Sequence, residues 1–343
     1  MSRVLLHRPS IHDVAKEAGL SAATVSKVMR GIGNVRAENA SRVNAVVESM
    51  GYRVDPVAAD LRRGTRRIIG VVVPELESSF FGSLITSIES QTERLGYTLV
   101  MSSSRESETR EKELIQRLQD LRVAGTILAP VRSETGSGAQ LLKSQQMSAV
   151  LIDRVADDRQ LDTVSVDNRM ASIKVAQLLA ASGHRHILIL GLDKKSTSTR
   201  LRCEGFVNEF RQLQPSCRID EVFTRTGLNG LRENLSHYFS DNRPTAIFSL
   251  FLNGTLLALS ELRRIDLHCP DDISLIGFDD SEWMQAMHPA VTSVVQPVNE
   301  IAQQAVSLLM RRIHSGQADT VAHEATCHIE IRESVRALNQ TAR

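Results

Sequence analysis

Residues Ser10 to Met29 (SIHDVAKEAGLSAATVSKVM) put short hydroxyls, methyls and one ammonium on a helix that could lie against nucleic acid. Two short helical patterns meet at Gly19-Leu20. The second opens on Ser21 and offers a nearly bare face of Ser, Ala, Thr and Lys. Hydroxyls and ammonium groups donate to phosphate oxygens, and small side chains let a helix approach base edges closely. Such a pair suits a helix-turn-helix whose second helix enters a major groove.

Three short helices must hold that face. Ser10 and Asp13 form an S-x-x-D capping pattern ahead of Ile11, Val14, Ala15 and Ala18, the apolar face of the first helix. Gly19 ends it and Ser21 caps the next, with Val25 and Val28 turned inward. A loop through Gly31, Gly33 and Asn34 leads to a third helix from about Arg36 to Met50, which Gly51 stops. Residues Arg53 to Arg67 then read either as a charged linker or as a short helix that starts at Pro56 and orders on DNA.

At 343 residues the chain has room for two or three domains. Residues 1–67 hold 12 Lys and Arg against 6 Asp and Glu, whereas the remainder is acidic on balance, 29 against 34. A basic head on an acidic body suits a phosphate-binding module joined to a body that avoids DNA. No run of 18 apolar residues and no secretory signal is visible, so a cytoplasmic protein without a membrane span is expected. Cys203, Cys217, Cys269 and Cys327 are scattered and show no metal-ligand spacing, so reduced thiols and no metal are expected. There is no G-x-x-x-x-G-K-[ST] loop, no G-x-S-x-G elbow and no zinc signature, which argues against an enzyme. The GSG at Gly136–Gly138 reads as part of a Ser-rich loop.

From Ile68 the rhythm changes. Short apolar runs (IIGVVVP, GYTLVMSS, GTILAP, SAVLID, TVSVDN, HILILGL, TAIFSLF, DISLIGFDD, TSVVQPV) alternate with helical stretches near Phe81–Leu95, Arg110–Leu121, Met170–Ala181 and Leu256–Leu262. That alternation predicts parallel sheets in α/β architecture, long enough for two lobes with a cleft at the strand ends.

The segments IHDVAKEAGLSAATVSKVMRG, GY followed by VAADL, IIGVVVP, LIDR, VDN, SGHRHILILG, RLRCEGF, DISLIGFDD and TSVVQPV, in that order, resemble the LacI/GalR family of bacterial transcription repressors across essentially the whole chain. The resemblance implies a small all-α helix-turn-helix head on a two-lobed α/β core of the type I periplasmic-binding-protein kind. The expected division is a DNA-binding domain over 1–52, a hinge over 53–67, a core over 68–335 and a tail over 336–343. Within the core, the first lobe would take about 68–165 plus 297–335, and the second about 166–296. The resemblance further implies a homodimer on a pseudo-palindromic operator, with a small effector between the lobes and no cofactor. The ending IRESVRALNQTAR lacks a sustained leucine heptad, so a dimer is expected over a tetramer.

Carried over position by position, the resemblance puts base reading on Ala22, Ala23 and Lys27, and phosphate contacts on Ser21, Thr24, Ser26 and Asn34. Leu61 matches a hinge leucine that wedges into the minor groove, flanked by Ala58 and Arg62. The alternative is that Ala22 and Ala23 merely favour helix, with specificity shifting to Lys27 and the hinge.

For the effector, Asp153, Ser196, Ser198, Arg202, Asp279 and Gln296 match pocket positions. The set suits a polyol, with carboxylates accepting from hydroxyls and Arg and Gln donating back. Phe80 and Phe81 match an aromatic pair that either borders the pocket or packs the core. The family often carries an Asn-Asp pair where this chain reads FLNGTLLALSEL, so Phe251 and Leu252, or Asn253 and Gly254, stand in place of a carboxylate. With Arg202 kept and Arg154 nearby, that substitution favours an anion. The DDSEW stretch resembles the gluconate-type branch of the family, and its Trp283 either stacks on a sugar face or packs a loop. A sugar acid of the gluconate or ketogluconate type is therefore the leading expectation, acting as inducer. A neutral sugar or a purine corepressor remains open, as does an enzyme of sugar metabolism with an accessory DNA-binding head.

Overall fold

The computed structural model describes residues 9–29, 31, 35–52, 67–133, 136–155, 160–193, 196–316 and 319–338. It divides into two compact units, Met1–Arg66 and Arg67–Arg343.

The first unit holds α1 (Ile11–Glu17), α2 (Ala22–Met29) and α3 (Ala37–Ser49). Its entry is the expected capping box: the Ser10 hydroxyl accepts the Asp13 N–H at 3.3 Å, and the Asp13 carboxylate accepts the Ser10 N–H at 2.7 Å. Gly19 turns the chain at φ +64°, a region where a side chain would be strained. The Ser21 hydroxyl accepts the Thr24 N–H at 3.2 Å and starts α2. Val14, Val25 and Val43 meet in full burial, with Ala15, Ala18 and Tyr52 around them.

The second unit is built on two six-stranded sheets. The first lobe contains β1 (Ile68–Val73), α4 (Ser79–Arg94), β2 (Thr98–Ser103), α5 (Glu108–Asp120), β3 (Gly125–Leu128), α6 (Ser137–Ser144), β4 (Ala149–Ile152) and β5 (Asp162–Val166). The second contains α7 (Asn168–Ala181), β6 (His186–Gly191), α8 (Thr197–Leu213), β7 (Arg218–Phe223), α9 (Gly227–Asp241), β8 (Ala246–Ser249), α10 (Leu252–Arg264), β9 (Ser274–Phe278), α11 (Glu282–Ala286) and β10 (Thr292–Val295). The chain then returns to the first lobe with α12 (Val298–Ser315) and β11 (Ala322–Ala325), and ends its strands in the second with β12 (His328–Glu330).

Sheet order is β11-β5-β4-β3-β1-β2 in one lobe and β12-β10-β9-β8-β6-β7 in the other. Every pairing is parallel except β10 with β12. The central strands are buried end to end, as continuous apolar runs covered by helices on both faces should be.

The expectation that all of 297–335 stays in the first lobe, and that the tail begins at 336, needs correction. The chain leaves that lobe after Ala325. β12 pairs with β10, Leu275 N–H donates to Ser334 O at 2.8 Å, and Leu338 N–H donates to Ser182 O at 2.7 Å. These segments carry no apolar run to betray them, because backbone pairing holds them to an edge: Ile331 is 68% exposed. The Gly136–Gly138 stretch is corrected too, since Ser137 and Gly138 open α6. Among the described residues no helix is long and apolar enough to cross a membrane.

Candidate functional site

On α2, burial of Val25 turns Ser21, Ala23 and Lys27 to the outside, with Ala22, Thr24 and Ser26 half-buried. Ala23 and Lys27 stand four apart and share one face. The Ser21 and Thr24 hydroxyls lie 2.9 Å apart. Asn34, Ala58, Leu61 and Arg62 lie outside the described residues.

In the second unit the strand ends of both lobes converge on a cleft of about 520 Å³. Asp153 follows β4 and Asp279 follows β9; both have left-handed backbone, at φ 63° and 76°. Gln296 follows β10 and its Nε2 donates to Asp279 Oδ1 at 2.5 Å. The Leu252 N–H at the start of α10 also donates to that carboxylate. Burial raises the Asp279 pKa, and Arg202 and Gln296 oppose the rise.

Arg202 projects from α8. Its Nε donates to Asn168 Oδ1 at 2.7 Å, its Nη1 donates to Leu250 O at 2.8 Å, and its guanidinium lies 3.5 Å over the Phe278 ring. Only 6% of the residue is exposed. Ser196 stands at the N-cap position of α8, and its hydroxyl lies 2.9 Å from that of Ser198. Phe80 and Phe81 meet edge to face at 5.1 Å, and both line the cleft while packing the core, so the two readings of this pair hold together.

Arg154 places Nη1 and Nη2 each 2.7 Å from the Glu106 carboxylate. Burial works against its charge, and Glu106 more than offsets that, so its pKa is raised. Phe251 is the N-cap of α10, and Phe251, Leu252 and Asn253 all border the cleft, so no carboxylate comes from this wall. Gly254 is buried one residue further into the helix. Trp283, in α11, is not among the cleft residues; it packs against the apolar cluster around Met284 in the second lobe.

Sequence reasoning missed several charged residues of the cleft. Glu75 and Glu106 come from loops of the first lobe, with Arg132, and Glu108 from the first turn of α5; Asp193 and Arg225 come from the second lobe. Their one signal was position just past a strand end. Arg132 pairs with Glu108 at 2.6 Å and Arg225 with Asp193 at 3.7 Å. Burial, then Glu106, raises the Glu75 pKa. Arg202 has no carboxylate within ion-pair distance among the described residues. The arrangement can hold a small polar ligand by acceptors on Asp153 and Asp279 and donors on Arg202 and Gln296. Among the described residues no cluster of His, Cys, Asp and Glu could hold a metal ion.

A broader groove of about 1150 Å³ lies between α4, α11 and α12. It is walled mostly by Ser, Thr, Gln and Asn with Arg94 and Glu282, and its Asp280 is already paired with Arg332 at 2.7 Å. It lacks the buried donors and acceptors of the strand-end cleft.

Comparison with known proteins agrees with this anatomy. The family model "Bacterial regulatory proteins, lacI family" matches residues 10–55, and "Periplasmic binding protein-like domain" matches 176–335. The chain is similar to the HTH-type transcriptional regulator PtxS of Pseudomonas putida, with 30% identity over 323 residues, 93% of this chain and 94% of that one. It is also similar to catabolite control protein A of Priestia megaterium, with 27% identity over 333 residues, 95% and 99% of the two chains. Among solved structures, the lac repressor dimer bound to operator and the anti-inducer ONPF shares the fold, with TM-score 0.84 and 23% identity over 96% of this chain and 99% of that one.

Proposed function

The chain belongs to the lacI family of bacterial regulatory proteins, and we propose that it is a transcriptional repressor whose hold on operator DNA is set by a sugar acid in the strand-end cleft. It is a regulator and not an enzyme, as are the relatives named above. In this reading two copies bind a pseudo-palindromic operator, one α2 helix per half-site, with Leu61 wedged at the centre. Lys27 donates to guanine, while Ser21 and Thr24 grip phosphate.

Arg202 carries the choice of ligand. Its Nη2 has no protein acceptor among the described residues, and the wall beside it is Leu250, Phe251 and Leu252 where a carboxylate would compete. A ligand carboxylate fits that site, and Asp153 and Asp279 accept from its hydroxyls. A neutral sugar is the second reading, favoured by the carboxylates of Glu75, Asp153 and Asp279 in the same cleft. The ligand acts by preferring one arrangement of the two lobes; coupling of about 1–3 kcal/mol is typical of such systems.

Calorimetric titration of the full-length protein with gluconate, 2-ketogluconate, glucose and hypoxanthine tests the ligand class. Fluorescence anisotropy on a duplex selected from random sequence, with and without each binder, tests the coupling. Binding of a sugar acid that releases the duplex is expected. Binding of glucose or hypoxanthine with no response to either acid would overturn the ligand assignment.

A further inference from the structure

Arg154 meets Glu106 fork to fork, with both guanidinium nitrogens at 2.7 Å. The Arg154 side chain is 16% exposed and that of Glu106 47%. Arginine grips a ligand carboxylate or phosphate in this same geometry, so here the protein fills its own anion site.

The loop that delivers Glu106 adopts backbone that side chains rarely take. Arg105 and Glu106 are consecutive left-handed residues, at φ 51° and 56°. Anchors on either side hold the turn. The Ser103 hydroxyl donates to Pro74 O at 3.0 Å and accepts the Arg105 N–H at 3.2 Å. Ser104 N–H donates to Val73 O at 2.9 Å, and Arg110 Nε donates to Ser103 O at 2.8 Å. Strained backbone held at a ligand cleft points to a side chain whose aim matters.

We propose that Glu106 is a specificity-determining residue that lets the cleft accept a carbohydrate with one acidic group and turn away one with two. This rests on the sugar-acid reading of the same cleft. The single acidic group pairs with Arg202, the cleft arginine without a carboxylate partner among the described residues. A second anion finds Arg154 taken. It must either displace Glu106, leaving that carboxylate beside Glu75, or stay un-neutralised near both. Each course is repulsive, and an introduced repulsion discriminates as effectively as a new attraction. Without the Glu106 charge, Arg154 offers its fork to the ligand.

The test is calorimetry on the full-length protein and its Glu106→Gln and Glu106→Ser variants. Probes are gluconate, 6-phosphogluconate and glucarate, with glucose and glucose 6-phosphate as a second pair. Glu106→Ser is included because glutamine can return its own carbonyl to the fork. Preference for double over single anions should rise by at least about tenfold in one or both variants. A ratio that moves by less than about twofold in both variants, or wild-type protein that already binds 6-phosphogluconate as tightly as gluconate, overturns the assignment. The second pair separates the two claims. If gluconate fails to bind but either variant gains glucose 6-phosphate over glucose, the role of Glu106 stands and the sugar-acid reading falls. If gluconate binds and no ratio moves, the reverse holds.

Discussion

Asp153 and Asp279 are positional counterparts across the cleft. Each is the first residue past the fourth strand of its lobe in chain order, β4 or β9, and each has left-handed backbone, at φ 63° and 76°. Each also donates its N–H at 3.0 Å to the neighbouring strand, Asp153 to Val164 O in β5 and Asp279 to Val294 O in β10. The two lobes thus aim one carboxylate each into the same space from the same place in the same topology. Their surroundings differ. Asp279 is buried and held by Gln296 and the Leu252 N–H, whereas Asp153 lies 3.8 Å from Arg154 Nε.

Replacing either aspartate with asparagine should keep the fold, because asparagine tolerates left-handed backbone. Each variant should lose effector affinity, Asp279→Asn more than Asp153→Asn. Removing a buried charged acceptor costs about 1–3 kcal/mol, or roughly tenfold or more in affinity. Calorimetry with the effector, beside a melting curve near wild type, checks this.

Arg202→Lys should not behave as a conservative change. Lysine has no planar fork with which to reach Asn168 and Leu250 O together while lying over Phe278. Effector affinity should fall by at least about tenfold. Unaltered binding isotherms for the lysine variant would remove Arg202 from the proposed site.

Glu111 gives a pH prediction. It lies under the β3–α6 connection, where its Oε2 accepts the Val131 N–H at 2.6 Å and its other oxygen is buried against Gly138. Burial pushes its carboxyl up to about 7. The folded chain then binds a proton that the unfolded chain has released between the ordinary carboxylate range and about pH 7. Stability falls as pH rises through that window and levels above it, by about 3 kcal/mol at most. Glu111→Gln removes the fall. Melting temperatures taken from about pH 4.5 to pH 8 should show the variant gaining on wild type toward the alkaline end.

Lys27→Ala tests the head. If Lys27 donates to a guanine, the variant should lose about 1–3 kcal/mol on the cognate operator and discriminate less at one base pair. Anisotropy titrations on single-base operator variants read this directly. A uniform loss across all sequences would instead place Lys27 on phosphate.

Ser10→Ala should remove one half of the capping box and destabilise α1 by about 1 kcal/mol. Faster amide exchange confined to the head of the full-length protein is the expected sign.

Legibility in the sequence followed burial and periodicity. The central strands of both sheets read directly as short apolar runs, because strands covered on both faces can carry little else. The capping box and Gly19 read directly because local chemistry alone sets them. β7, β11 and β12 were missed, since edge strands such as Arg218–Phe223 and His328–Glu330 carry charge and expose one face. At the cleft, the resemblance located Asp153, Arg202, Asp279 and Gln296. It did not locate Glu106, whose place depends on two left-handed residues that no apolar pattern reports. It left Trp283 open between stacking on a sugar face and packing a loop, and the structure packs that ring against the second-lobe cluster.

The late return of α12 and β11 to the first sheet bears on how the protein emerges during synthesis. Ile301, Ala302, Ala305 and Leu309 pack into the same cluster as Ile127, Val150 and Val164. A nascent chain that has finished β1 to β5 has α4 to cover β1 and β2, but it still shows bare apolar surface over β3, β4 and β5. It keeps that part uncovered until the second lobe has been made as far as β10, because the helix that closes it begins at Val298. The lobe encoded first is thus completed late, and the growing polypeptide spends that interval exposed to chaperones and to its own neighbours on the polysome.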